Sequence, residues 1–289
     1  MILDPRSLLF VPANRPDRFE KAAGAGADAV IADLEDSVGT SQKAAARDNL
    51  PAAAEHASGA RGGLYVRVNP VGTPWHADDV AAAAGIGARG IVLPMCEDPG
   101  VVAETEWRLA AHEHDPRATE IVLIVETARG VLNAGQLARP AGRARRMAFG
   151  AYDFALDMGI DVENAAQVLT TARTQVVLAA KAAGVQPIDT AFADVRDPGA
   201  MRRQAAEAAG MGFTGKFAIH PGQVPIINEV LSPSAAEIAT AGRIVAAFRD
   251  AERQGIAAIS VDGKLVDYPI ARRSEALLAR AAAFGLGPS

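Results

Sequence analysis

Short apolar runs alternate along the chain with longer amphipathic, alanine-rich stretches. The runs are Ser7 to Val11, Ala29 to Ala32, Leu64 to Val68, Gly90 to Leu93, Ile121 to Val125, Arg146 to Phe149, Val185 to Ile188 and Lys216 to Ile219. They are continuous rather than alternating, as expected of strands buried on both faces in a parallel sheet. The stretches between them carry charges at helical spacing, as in Ala44 to Ala57. Strands regularly separated by helices imply right-handed crossovers, and eight such units predict an α/β fold closed as a (β/α)8 TIM barrel.

An open doubly wound sheet is the rival, but it would usually place a glycine-rich phosphate loop after its first strand. That position reads Val11-Pro12-Ala13-Asn14-Arg15-Pro16. Beyond residue 231 the pattern changes. Ser234 with Glu237 forms a capping-box signature for a new helix, Asp262-Gly263 between two short extended segments signals a hairpin, and Pro269 opens a last helix. The expected organisation is a barrel over 1–231 and a helical and hairpin extension over 232–289, placed to act as a lid or subunit contact.

Composition narrows the function. A formal charge of -5 and a pI near 5.6 provide no general attraction to nucleic acid or anionic membrane. No apolar run reaches the roughly eighteen residues that a membrane helix needs. The start Met1-Ile2-Leu3-Asp4-Pro5 does not read as a signal peptide, and the single Cys96 cannot form an intrachain disulfide, so a cytoplasmic setting is expected.

In such barrels the chemistry lies at the C-terminal strand ends. The polar endings here are Asp33-Leu34-Glu35-Asp36-Ser37, Arg67-Val68-Asn69-Pro70, Glu126-Thr127-Ala128-Arg129-Gly130, Gly150-Ala151-Tyr152-Asp153 and Asp189. Converging carboxylates repel unless a cation compensates, and oxygen donors without Cys/His spacing suit Mg2+. Glu126 and Asp153, ending neighbouring strands, are the expected ligands; the alternative is that they serve helix N-termini. Arg67, inside an apolar run, must meet carboxylates, either Asp33 or Glu35 or those of a keto acid. His220 reads equally as a base or a packing residue. His56, His76, His112 and His114 suggest no role, and Cys96 lacks a histidine partner for thiol chemistry.

Taken together, Arg6-Ser7-Leu8-Leu9-Phe10-Val11-Pro12, Asp33-Leu34-Glu35-Asp36-Ser37-Val38 with Lys43 and Arg47, Val66-Arg67-Val68-Asn69, Glu126-Thr127-Ala128-Arg129-Gly130, Gly150-Ala151-Tyr152-Asp153 with Asp157 and Gly159, and Gly215-Lys216 through Ile219-His220-Pro221 resemble the citrate lyase β-subunit and malyl-CoA lyase family. The match runs in order through nearly the whole chain. The resemblance implies Mg2+ on Glu126 and Asp153, Glu35 and Asp36 bonded to metal-bound water, Arg67 on the keto acid, and a trimer or hexamer exchanging lids. In that lid, Asp267 would serve as acid/base. Arg6, Arg15, Arg18 and Lys21 are candidate contacts for coenzyme A phosphates, and backbone N–H groups near Gly150 to Asp153 are candidate donors to an enolate. Met95-Cys96 and Tyr152 depart from the family pattern, where Lys and Glu are frequent, as does Ala13, where Gly is frequent.

The implied activity is Mg2+-dependent cleavage of a short 3-hydroxyacyl thioester, such as malyl-CoA or citryl-CoA, into an acetyl-type thioester and a 2-oxo acid. A thioesterase at the same site, an aldolase on free acids and a non-catalytic barrel subunit are the alternatives.

Overall fold

The computed structural model describes residues 4–113, 119–138 and 142–287. His114 and Met1 to Leu3 lie outside them. The chain divides into two compact units, Met1–Leu231 and Ser232–Ser289.

The first unit is a closed barrel of eight parallel strands: β1 (Ser7–Pro12), β2 (Ala29–Asp33), β3 (Leu64–Arg67), β4 (Gly90–Leu93), β5 (Glu120–Val125), β6 (Ala144–Phe149), β7 (Gln186–Asp189) and β8 (Gly215–Ala218). β8 pairs with β1 to close it. Every run expected as a strand is one, displaced by at most two residues at an end. Helices follow the strands, the longest in this unit being Ala166–Ala183, which ends on left-handed Gly184.

Side chains of each strand divide between two apolar layers. Leu8, Ala29, Ile31, Tyr65, Val92, Val122, Ile124, Ala148, Ile188 and Phe217 fill the barrel interior. Their neighbours, such as Leu9, Val30, Val66, Ile91, Leu123 and Met147, pack under the helices. This period of two decides which strand-end residues reach the mouth: those in phase with the interior set do, and those one residue out of phase do not.

The N-terminal end of the barrel is closed by a polar floor that the apolar pattern does not announce. Glu120 accepts hydrogen bonds from Tyr65 and from the buried Arg146 guanidinium. Arg146 Nε donates to Gln186 Oε1 at 2.8 Å, and Gln186 Nε2 donates to the Pro5 carbonyl at 2.8 Å. Such burial of charge is tolerable because the groups satisfy one another. Gly90 has no side chain to collide with this cluster; a Cβ there would stand 2.6 Å from the Tyr65 ring.

In the second unit, Ser234 and Glu237 form the expected capping box of the helix Ala235–Arg253. An antiparallel hairpin, β9 (Ile259–Val261) and β10 (Lys264–Val266), turns at Asp262-Gly263, where both residues have positive φ. The helix Tyr268–Ala283 follows. Phe248, Val266 and Ala271 form this unit's small core. No helix among the described residues is long and apolar enough to cross a membrane.

Candidate active site

The mouth is a cavity of about 450 Å³ lined by groups from seven strand ends, among them Asp33, Asp36, Arg67, Glu126, Asp153 and Thr190. Arg67 anchors it. Its Nε and Nη2 donate to Asp33 Oδ1 and Oδ2, both at 2.7 Å, and its guanidinium lies over the Phe10 ring. Asp33 also accepts from the Ser37 hydroxyl and the Glu35 backbone N–H. Although burial opposes it, Arg67 with these donors holds the Asp33 carboxyl below its ordinary value. The ion-pair and substrate readings of Arg67 are therefore compatible: one edge of its fork is spent on Asp33, and Nη1 turns toward Glu35 at 2.6 Å and Asp36 at 3.5 Å. The loop bearing Glu35 is fixed from behind by buried Lys43, whose Nζ donates to the Leu34 and Glu35 carbonyls, each at 2.8 Å.

Opposite stand Glu126 and Asp153. Glu126 Oε1 accepts from the Met95 N–H at 2.7 Å, and Met95 adopts a positive φ of 53° to provide it. A non-glycine residue there is uncommon and locally strained. Gly150 makes the room: a Cβ on it would meet Glu126 Oε2 at 2.4 Å and Glu126 Cβ at 2.7 Å. Burial raises Glu126 well above its ordinary value, with Glu35 and Asp153 adding repulsion. Burial also raises Asp153, Asp36 adding to it, while a hydrogen bond with Glu126 works the other way. Glu35 is pushed up to about 8 by burial, against the pull of Arg67 and with help from Asp36, Asp33 and Asp153. Its Oε2 is buried with no hydrogen-bond partner, because the close Arg67 contact lacks hydrogen-bond geometry.

Too many carboxylates with too little positive charge is the environment a hydrated divalent cation relieves. Among the described residues no group of three or more His, Cys, Asp or Glu is arranged to hold a metal. Two carboxylates completed by water and substrate oxygens are characteristic of Mg2+, and Glu126 with Asp153 fit that role.

A second cavity, of about 420 Å³, runs beside the mouth along the ends of β1 and β8. It is lined by Arg15, Arg18, Lys21 and His220, and Arg18 borders both cavities. Arg15 is exposed and bound to Asp17 through two hydrogen bonds. His220 is exposed, and its Nδ1 accepts from the Gly222 N–H at 3.1 Å, which makes it the cap of a short turn.

Several expected members are elsewhere. Arg6 precedes β1 at the floor end and is held bidentately by Asp28, both contacts 2.8 Å, so it cannot join the other cations at the mouth. Asp189 is out of phase with the interior and points under the helices, where it accepts from Lys216 Nζ at 2.7 Å and Arg173 Nε at 3.0 Å. Asn69 is likewise spent on the Leu34 carbonyl and on Asp79. The Gly150 and Ala151 N–H groups donate to the Val125 carbonyl and Thr190 Oγ1, so neither is available to an enolate. Asp267 caps the last helix of the second unit, accepting from the Ile270 N–H at 3.3 Å. Cys96 is fully buried and its thiol is pushed up by that burial, which removes it as a nucleophile. His76 is buried between Asn69 and Thr105.

The strand-end motifs and the mouth they build coincide with a known pattern: the family model for HpcH/HpaI aldolase/citrate lyase matches residues 6–221. The chain belongs to this family. It is 38% identical over 283 residues to a (3S)-malyl-CoA thioesterase of Cereibacter sphaeroides, covering 97% of this chain and 96% of that protein. It is 32% identical over 277 residues to the citrate lyase subunit beta of Leuconostoc mesenteroides subsp. cremoris, covering 94% and 92%. The crystal structure of protein CitE from Mycobacterium tuberculosis in complex with magnesium, acetoacetate and coenzyme A superposes with a TM-score of 0.80 at 34% identity, covering 97% of this chain and 98% of that one.

Proposed function

We propose that this member of the HpcH/HpaI aldolase/citrate lyase family is a Mg2+-dependent carbon–carbon lyase acting on a short 3-hydroxyacyl coenzyme A thioester. The observation that carries the proposal is the mouth itself: Arg67 braced by Asp33, facing the carboxylates Glu126 and Asp153 across one cavity, beside a groove lined by Arg15, Arg18 and Lys21.

In this reading Glu126 and Asp153 hold Mg2+, which supplies positive charge to the oxygens of the 2-oxo acid. Glu35 and Asp36 accept hydrogen bonds from water in the site, and Arg67 Nη1 orients the acid's carboxylate. Cleavage breaks the bond between C2 and C3 of the thioester. The 3-hydroxyl gives up its proton to the water held by Glu35 and Asp36 and becomes the carbonyl of the 2-oxo acid, while the electron pair stays on C2 as the thioester enolate. Asp267, from the hairpin of a neighbouring copy in a trimer or hexamer, then returns a proton to C2. Arg15, Arg18 and Lys21 hold phosphates of coenzyme A. A reducing cytoplasm suits the free Cys96.

The likeness to a (3S)-malyl-CoA thioesterase favours one second reading, in which water attacks the thioester carbon and the thiol leaves. Product analysis separates the two. With Mg2+ and malyl-, citramalyl- or citryl-CoA, the lyase releases a 2-oxo acid and an acyl thioester, and Asp153→Ala and Asp267→Asn abolish the release. Free coenzyme A without a 2-oxo acid establishes hydrolysis instead, and a failure of every thioester to react rejects both.

A further inference from the structure

The charge and shape of the mouth limit which 3-hydroxyacyl group it takes. Its cationic lining residues are Arg67 and Arg18, against the carboxylates Asp33, Asp36, Glu126 and Asp153, with Glu35 buried alongside. Arg67 is already surrounded: Asp33 engages two of its nitrogens, and Glu35 and Asp36 share the third. Arg18 borders the neighbouring groove, where the thioester carrier belongs. One divalent cation and Nη1 of Arg67 therefore serve a single substrate carboxylate. The rest of the wall carries no charge: the hydroxyls of Ser37, Thr190 and Tyr152 are engaged with Asp33, the Ala151 N–H and the Ala193 N–H, and Phe10, Ile124, Ala191, Phe217 and Ile219 are apolar, with Phe10 and Phe217 in edge-to-face contact at 4.9 Å. Phe217 and Ile124 are buried and supply no charge to the cavity.

We propose that the enzyme selects thioesters bearing one carboxylate on the carbinol carbon and hydrogen or a small alkyl group as the other substituent, and rejects those with a second carboxylate. This rests on the reading of the mouth as the acyl site. A second carboxylate would be desolvated against Phe10 and Phe217 in a field that is already negative, with no cation left to meet it. A methyl group needs no counter-charge there. Discrimination against an unpaired charge greatly exceeds what an apolar pocket achieves between substituents differing by one methylene. The product is thus a small monocarboxylic 2-oxo acid, and the reaction that supplies the substrate must form a monocarboxylic 3-hydroxyacyl thioester.

The test compares kcat/KM for malyl-, citramalyl- and citryl-CoA with the Mg2+-loaded protein, following 2-oxo acid and free thiol separately. Citramalyl-CoA should fall within about tenfold of malyl-CoA, and citryl-CoA at least about a hundredfold below both. Citryl-CoA within tenfold of the other two overturns the proposal. Because selectivity is read on whichever product forms, hydrolysis in place of cleavage overturns the lyase reading and leaves this one to stand or fall on its own ratio. If nothing is turned over, calorimetric titration of the Mg2+-loaded protein decides: pyruvate should bind at least tenfold more tightly than oxaloacetate, and equal affinities overturn the proposal. Ile219→Lys, at an exposed position on the rim, should raise citryl-CoA turnover about tenfold or more without raising that of malyl-CoA. No gain for citryl-CoA in a folded variant also counts against it.

Discussion

Gly150 shows how tightly single residues define the mouth. Glu126 occupies the space where a Cβ of residue 150 would be. Gly150→Ala should displace the carboxylate while leaving the barrel folded, lowering Mg2+ affinity by about 10- to 100-fold, the range seen when groups supporting a metal ligand are removed. Titration calorimetry with circular dichroism as the control measures this, and unchanged affinity would show that Glu126 is not a ligand. Arg67 makes the opposite kind of demand. Arg67→Ala leaves Asp33, 1% exposed, without its counter-ion, and should cost about 3–5 kcal/mol of stability in urea denaturation in addition to abolishing turnover. A loss below about 1 kcal/mol would mean that Ser37 and the Glu35 N–H alone satisfy Asp33.

At the level of elements, the eight strands were legible because buried parallel strands must be apolar on both faces, and the runs carry that requirement openly. The same reasoning misplaced Asp189 and Arg6. A polar residue at a strand end reaches the mouth only if its phase matches the interior set, and a run such as Gln186-Pro187-Ile188 is too short to show the phase. Arg6 sits at the start of its strand, not the end, so the rule that places chemistry at C-terminal strand ends already set it apart from Arg15, Arg18 and Lys21. The floor of Tyr65, Glu120, Arg146 and Gln186 had a fainter signal, in charged residues inside the apolar strands β5 and β6. The backbone device at Met95 had none, since a positive φ there is not written in residue type. In the second unit, Asp267 has two duties to separate, the observed cap and the proposed proton transfer. Asn caps a helix about as well as Asp, so Asp267→Asn should stay within about 0.5 kcal/mol of the parent in stability. Its turnover should fall at least a hundredfold. Asp267→Ala should lose both the activity and about 1 kcal/mol. An active Asp267→Asn protein would reduce this residue to a cap.

For the whole molecule, the carboxylate cluster ties stability to pH and to metal in a direction that can be worked out. Glu35 rises from an ordinary value near 4.5 to about 8 in the folded chain, and Glu126 is raised as well, both chiefly by burial. The folded state therefore binds more protons than the unfolded chain between these values, and stability falls as pH rises across that interval. Glu35 gives its full contribution below about 4.5 and has lost it above about 8, and Glu126 acts in the same direction. Asp33, lowered by Arg67, acts the other way, but only below its ordinary value of 3.8. Metal-free protein should accordingly unfold more easily at pH 8 than at pH 5.5. Mg2+ binds the ionised carboxylates, so its apparent affinity should climb by up to about tenfold per pH unit toward 8, and saturating Mg2+ should remove most of the slope. Thermal denaturation at both pH values, with Mg2+ or with a chelator, reads both effects, and Glu35→Gln should flatten the metal-free slope. A slope unaffected by Mg2+ in the parent protein would place the titrating groups outside the mouth and separate the metal from this cluster.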